Sequence, residues 1–195
     1  MILDDYIYNY YPKGIEDVFS DEYTNSIEYK SLKKAIQNAE KSETINEIKE
    51  ILKSYASLDS LKMKFLDSTN FSFNDRAFNF QYRQELPNKI IKTVCCNISV
   101  LLPIYCIYYI ERDFSKVVLG DKVDTAFYKY DFNTFPSSFK GLKIKISETL
   151  NNIGLKRIEN KILEKRVPGI GFNNIGYNNM TRFNCLFLDE PYVSP

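Results

Sequence analysis

The stretch from residue 76 to residue 86, Arg-Ala-Phe-Asn-Phe-Gln-Tyr-Arg-Gln-Glu-Leu, restricts the fold of this chain more than any other part of it. Its side chains alternate, with Phe78, Phe80, Tyr82 and Leu86 on one face and Asn79, Gln81, Arg83 and Glu85 on the other. A period of two belongs to a strand, and one apolar face beside one polar face predicts an antiparallel sheet with a wet side. Pro87-Asn88-Lys89 reads as the turn that follows. Residues 90–102 and 104–112 form one long bent strand or two strands, broken at Pro103, which cannot donate to a ladder. After a turn at Asp121, residues 123–133 alternate again, with Ala126, Tyr128, Tyr130 and Phe132 sharing a face.

Helical spacing brackets these strands. Asn25 and Glu28 are placed as a capping box for a helix to about Glu40, lined by Tyr29, Leu32, Ala35, Ile36 and Ala39. Thr44 and Glu47 repeat the pattern for a helix to about Tyr55, and the short 41–43 link predicts an antiparallel helical hairpin. Pro136-Ser137-Ser138 opens a third helix to about Ile153, with Gly154 as its stop. Residues 155–167 are basic and fit helix or strand, 168–180 form a Gly/Asn loop, and 181–188 read as a final buried strand. With no internal repeat and no long linker, residues 1–195 read as a single α+β domain, its helices packed on a mainly antiparallel sheet.

Composition narrows the chemistry. Hydrophobic residues at 44% and charged ones at 26% sit in the globular range. There is no His, which removes Ser–His and Cys–His dyads and His-ligated zinc. Acid–base work would fall to Asp, Glu, Lys, Tyr or Cys with displaced pKa values, so catalysis is not the expectation. Cys95, Cys96, Cys106 and Cys185 lack C-x-x-C spacing and read as small hydrophobes in a reducing compartment, Cys95 and Cys96 on opposite strand faces. Acids stand where a signal peptide needs a basic start, and the longest apolar run, 98–110, is too short to span a bilayer. A cytoplasmic protein without membrane contact is expected.

Short motifs add little. The D…(D/E)-x-K pattern of metal-dependent nucleases has its short half at Glu28–Lys30, Glu47–Lys49 and Glu159–Lys161. The first two fall on predicted helices; the third, with Asp131 upstream, is the best placed, though surface charge accounts for it as simply. Gly169, Gly171 and Gly176 do not make G-x-G-x-x-G, and there is no Walker A sequence. Neither a metal nor a cofactor is expected. Between Lys140 and Arg166, eight bases outnumber three acids, a cluster that could release phosphate counterions. The net charge of +1 and the lack of a nucleic-acid module favour a solvated face, or a complement to the acidic N-terminus.

That N-terminus is the strongest functional signal. Over residues 1–28 seven acids face a single Lys13, a net charge of −6 in a chain that sums to +1. Five tyrosines (Tyr6, Tyr8, Tyr10, Tyr11 and Tyr23) lie among them. Residues 1–24, the acidic Tyr-rich segment, predict either a basic protein partner or an internal docking surface. For a partner, Asp4, Asp5, Glu16, Asp17, Asp21 and Glu22 are the candidate charged contacts, and Tyr8, Tyr10 and Tyr11 the candidate anchors.

The Tyr10-Tyr11-Pro12-Lys13-Gly14-Ile15 stretch ahead of two helices resembles small standalone immunity proteins of bacterial polymorphic toxin systems, of the Bacteroidetes type. So do the alternating strands and the late Thr181-Arg-Phe-Asn-Cys-Leu-Phe-Leu-Asp-Glu190. The likeness is of layout over most of the chain, with residue-level similarity in those two stretches. It implies an inhibitor that binds a cognate toxin domain stoichiometrically and performs no reaction. Two alternatives stand beside it: a metal-dependent nucleic-acid-processing enzyme using Asp131, Glu159 and Lys161, and a phage-encoded inhibitor of a host defence protein. The oligomeric state is not legible in the sequence.

Overall fold

The computed structural model describes residues 3–57, 62–113, 127–131 and 135–189. Five strands run in sequence order, each antiparallel to the next: β1 (Lys64–Asp67), β2 (Ala77–Glu85), β3 (Ile90–Ser99), β4 (Ile104–Asp113) and β5 (Phe127–Asp131). A short β6 (Lys156–Arg157) lies parallel to the start of β4, opposite Ile104 and Tyr105, while β5 pairs with the far end of β4 from Tyr109 to Asp113. The helices are α1 (Leu3–Ile7), α2 (Asp21–Asn25), α3 (Ile27–Glu40), α4 (Thr44–Ser54), α5 (Lys140–Asn152), α6 (Asn160–Leu163) and α7 (Arg182–Leu186). The chain is thus a single-domain α+β arrangement on a mainly antiparallel sheet. Among the described residues no helix is long and apolar enough to cross a membrane.

The hairpin after β2 closes at 86–90, where Leu86 N donates to Ile90 O at 2.9 Å and Lys89 takes a φ of 61°. Pro103 falls in the β3–β4 connection, so the long apolar run is two strands. Of the strand expected over 123–133, the 127–131 part is β5; the turn at Asp121 and the flanks lie outside the described residues.

The expected wet side of the sheet is wet only at the far end of β2, where Glu85 is exposed and Arg83 partly buried. Asn79 and Gln81 on β2 are fully buried, as are Thr93 and Asn97 on β3. Each face carries its own layer, which the alternation of β2 alone could not reveal. Phe80, Tyr82, Val94, Cys96, Tyr105 and Ile107 form one core with Leu52 of α4 and Leu142, Ile146 and Leu150 of α5. Ala77, Cys95, Cys106, Tyr108 and Ile110 form the other with Leu32 and Ile36 of α3, Tyr11 and Tyr23 of the N-terminal segment, and Phe183 and Leu186 of α7. The short 41–43 link therefore joins two helices that serve different faces. The buried amides partly satisfy one another: Gln81 Nε2 donates to Asn79 Oδ1 at 3.3 Å and Asn97 Nδ2 to Tyr108 Oη at 3.2 Å.

Three local readings differ from the sequence expectation, all at caps; in α4 the cap is Glu43, with no side-chain cap bond, so Thr44 and Glu47 do not form the expected box. Helix α3 starts after Ser26, whose hydroxyl accepts from Tyr29 N at 3.1 Å, so Ser26 rather than Asn25 is the cap. Residues 181–188 hold helix α7, not a strand. Thr181 Oγ1 accepts from Asn184 N at 3.3 Å while Asn184 Oδ1 accepts from Thr181 N at 2.9 Å, a reciprocal box with Asn in the Glu position. Polar Thr181, Arg182 and Asn184 fall only at the start, and the apolar 185–188 that follows shows no period, so the cap is what separates the two readings. Cys95 and Cys96 do face opposite cores, and all four cysteines are buried thiols. Burial pushes the Cys95 thiol up to about 12, far from the range of a nucleophile.

Candidate functional site

Half of the acidic segment is consumed by docking onto the rest of the chain. Asp4 forms a two-pronged ion pair with Arg182, which lies 178 residues away, with Oδ1 to Nε at 2.7 Å and Oδ2 to Nη2 at 2.9 Å. Tyr11 is fully buried and donates to Cys185 O at 2.7 Å, with Phe172 edge-on to its ring. The half-buried Tyr8 donates to Pro168 O at 3.0 Å, and Lys13 Nζ sits 4.7 Å from the centre of its ring. Tyr10 is half-buried with its hydroxyl toward Leu101 O, and Tyr23 donates to Gly171 O at 2.8 Å. Gly14 N donates to Gly169 O, and a Cβ on Gly171 would stand 3.0 Å from Val18 Cγ1, so glycine is what lets the segment lie this close.

The docking target is the 168–186 region, and the Asp4 pair falls on Arg182, outside the basic 140–166 cluster. Of the three tyrosines expected as anchors, Tyr11 has no surface left for a partner, and Tyr8 and Tyr10 keep only part of theirs. An aromatic residue followed by Pro-Lys-Gly gives no hint of which way its ring points. The charged expectation divides as well. Asp4 is committed internally, whereas Asp5, Glu16, Asp17, Asp21 and Glu22 are exposed.

Among these outward acids stands Phe19, 75% exposed. Its position is built: Asp17 Oδ1 accepts from Phe19 N at 2.9 Å, Ser20 N donates to Asp17 O, and Ser20 then caps α2 by accepting from Tyr23 N. Phe19 forms one wall of a cleft of about 710 Å³. The opposite wall is the β1–β2 connection, residues 68–75, and the remainder comes from Asn173, Asn174, Leu188 and Asp189.

The β1–β2 connection is also specified locally. A 3₁₀ turn at Phe71–Phe73 ends on Asn74 in the left-handed region at φ 62°, and Asp75 Oδ2 accepts from Asn70 N at 2.9 Å. Lys33 of α3 holds Asn74 by donating to its Oδ1 at 2.6 Å. The outcome is a second phenylalanine, Phe73, turned outward at 75% exposure on the cleft's rim.

Beneath the cleft lies Arg76, fully buried. It donates to Asn74 O at 2.8 Å, twice to Asn184 O, and to Asp189 Oδ1 at 2.6 Å. Asp189 Oδ2 accepts in turn from Asn173 Nδ2 at 3.1 Å. Asp75, the other carboxylate lining the cleft, has no ion pair among the described residues. Burial pushes its pKa up to about 6; the charge of Asp189 adds to this, while Asn70 N and Arg76 oppose it. A half-buried carboxylate that feels the charge of Arg76 but makes no ion pair, in a cleft, is an arrangement that a further positively charged group would relieve.

The residues of the nuclease alternative lie on separate elements. Glu159 and Lys161 are exposed at the start of α6, and Asp131 belongs to β5, in register with Tyr109. Glu28–Lys30 lies on α3, and Lys49 of the Glu47–Lys49 match pairs with Asp67 at 2.7 Å. Among the described residues no three His, Cys, Asp or Glu come together in a way that could hold a metal ion. The cleft itself escaped the sequence reading. Asn70-Phe-Ser-Phe-Asn-Asp75 is a run of turn formers with two aromatics, a signal of a built surface turn. Its partner, Asp189, is more than a hundred residues away, and only the fold joins them. Comparison with protein-family models, with curated proteins and with solved structures gives no match.

Proposed function

We propose that this protein is a non-catalytic inhibitor that binds and occludes a basic toxin domain in the cytoplasm, in the manner of the immunity proteins it resembles. The observation that carries this reading is the exposed acidic turn. Glu16, Asp17, Asp21 and Glu22 surround a phenylalanine that the backbone holds out into solvent at 75% exposure. Acids of one sign speed the encounter with a basic surface, and an exposed aromatic supplies contact area at the point of docking. That the rest of the segment is bolted to the fold adds support, because a preformed surface binds without a large ordering cost.

Co-expression with a secreted toxin domain, sought among the products of the neighbouring genes, tests the reading. Restored growth together with a 1:1 complex on size exclusion is the expected result. Growth rescue without any complex, or a complex that forms equally well after Glu16→Lys with Asp17→Lys, would count against it.

A further inference from the structure

We infer that the cleft between Phe19 and Phe73 is a receptor for an arginine side chain, presented on a basic loop of the partner and met by the Asp75 carboxylate. This rests on the inhibitor reading above and goes beyond it by naming the pocket and the group that enters it.

Three observations converge on arginine. The first is charge. Asp189 is already engaged by Arg76 and Asn173, at 2.6 and 3.1 Å, whereas Asp75 takes only the backbone N–H of Asn70 and keeps an oxygen for a new donor. The second is the rim. Phe19 and Phe73, each 75% exposed, are fixed outward by separate turns, the first by Asp17 and Ser20 and the second by Asn74 and Asp75. Aromatic faces beside a carboxylate suit a guanidinium, which is planar, weakly hydrated and able to stack while donating; an ammonium is none of these. The third is the lining. Asn70, Asn173 and Asn174 line the cleft and carry amide oxygens. A five-donor fork can use such acceptors together. At about 710 Å³ the cleft exceeds one side chain, which fits a loop carrying the arginine.

The test is an NMR titration of the full chain with the capped tripeptides Gly-Arg-Gly and Gly-Lys-Gly. Side-chain amide signals of Asn70, Asn173 and Asn174 serve as reporters, and Asp75→Asn and Phe19→Ala with Phe73→Ala as variants. Saturable shifts with the arginine peptide, at least tenfold weaker in Asp75→Asn and several-fold weaker with lysine, are expected. No shift at these signals, or equal binding by Asp75→Asn, overturns the inference. Titration of the toxin domain separates the two levels. Affinity lost in Glu16→Lys with Asp17→Lys but kept in Asp75→Asn removes the arginine pocket and leaves the inhibitor reading standing. Affinity kept in both variants removes both.

Discussion

Arg76 Nη2 lies 2.6 Å from Asp189 Oδ1, with the guanidinium sealed inside the protein and the carboxylate keeping a third of its surface. The pair ties the residue before β2 to the residues after α7, and its carboxylate lines the cleft. Removing the guanidinium strips Asp189 Oδ1, Asn74 O and Asn184 O of their donor at once. Arg76→Met is expected to lower stability by about 3–5 kcal/mol. Asp189→Asn is expected to cost less, about 2 kcal/mol, because its partner keeps three carbonyl contacts and the carboxylate is partly solvated. Urea denaturation measures both, and an unchanged midpoint for Arg76→Met would show that the pair does not hold the C-terminal region in place.

The N-terminal segment is docked by Asp4 and Tyr11, so these residues should read out in folding and not in recognition. Tyr11→Phe deletes one buried hydrogen bond, to Cys185 O, and Asp4→Asn weakens the two-pronged contact with Arg182. Each is expected to lower unfolding free energy by about 1 kcal/mol, with toxin affinity within twofold of wild type. A loss of affinity without a loss of stability would return them to the interface.

Asp75 gives a pH signature whose sign is fixed by its environment. Its folded pKa is about 6 against an ordinary 3.8, shifted up by burial and by Asp189 and held back by the Asn70 amide and Arg76. Below about pH 4 the group is protonated in both states. Between 4 and 6 the folded protein keeps a proton that the unfolded chain has released, so stability falls as pH rises through that window. Above 6 the full penalty is present. Asp75→Asn should therefore melt higher than wild type at pH 7, with the gain disappearing below pH 4. A variant that is less stable at pH 7 would show that the carboxylate is structural.

An enzyme reading makes a separate prediction. Labelled DNA and RNA incubated with the protein and Mg²⁺ or Mn²⁺ should remain intact. Cleavage that is lost in Glu159→Ala would overturn the non-catalytic account and point to the α6 start as an active site.

The sheet was legible in the sequence because β2 alternates with a period of two and the apolar run that becomes β3 and β4 has clear breaks at Pro87 and Pro103. Its second covered face was not, because Asn79 and Gln81 look like solvent-facing residues until the layer above them is known. Helix α7 was hidden by its shortness, since five residues with Phe183, Cys185 and Leu186 buried, running on into buried Phe187 and Leu188, are too few to set a period. At the candidate site, charge was visible along the chain, and Glu16, Asp17, Asp21 and Glu22 are where a partner could meet them. Orientation was not visible. Tyr11 turned inward onto α7 while Phe19, an ordinary hydrophobe by type, turned out. The pocket joins residues 19, 75 and 189, a grouping that no local pattern encodes.

Calorimetric titration of the toxin domain into wild-type protein and into Glu16→Lys with Asp17→Lys tests the central claim most directly. Both positions are exposed, and the one side-chain bond lost, Asp17 Oδ1 to Phe19 N, lies in the same exposed turn, so the melting temperature should stay within about 2 °C of wild type. Affinity should drop at least tenfold, with a steeper loss at low ionic strength than at high. Unchanged affinity in a folded variant, at low salt, would contradict the claim that this acidic turn is the surface that meets the partner.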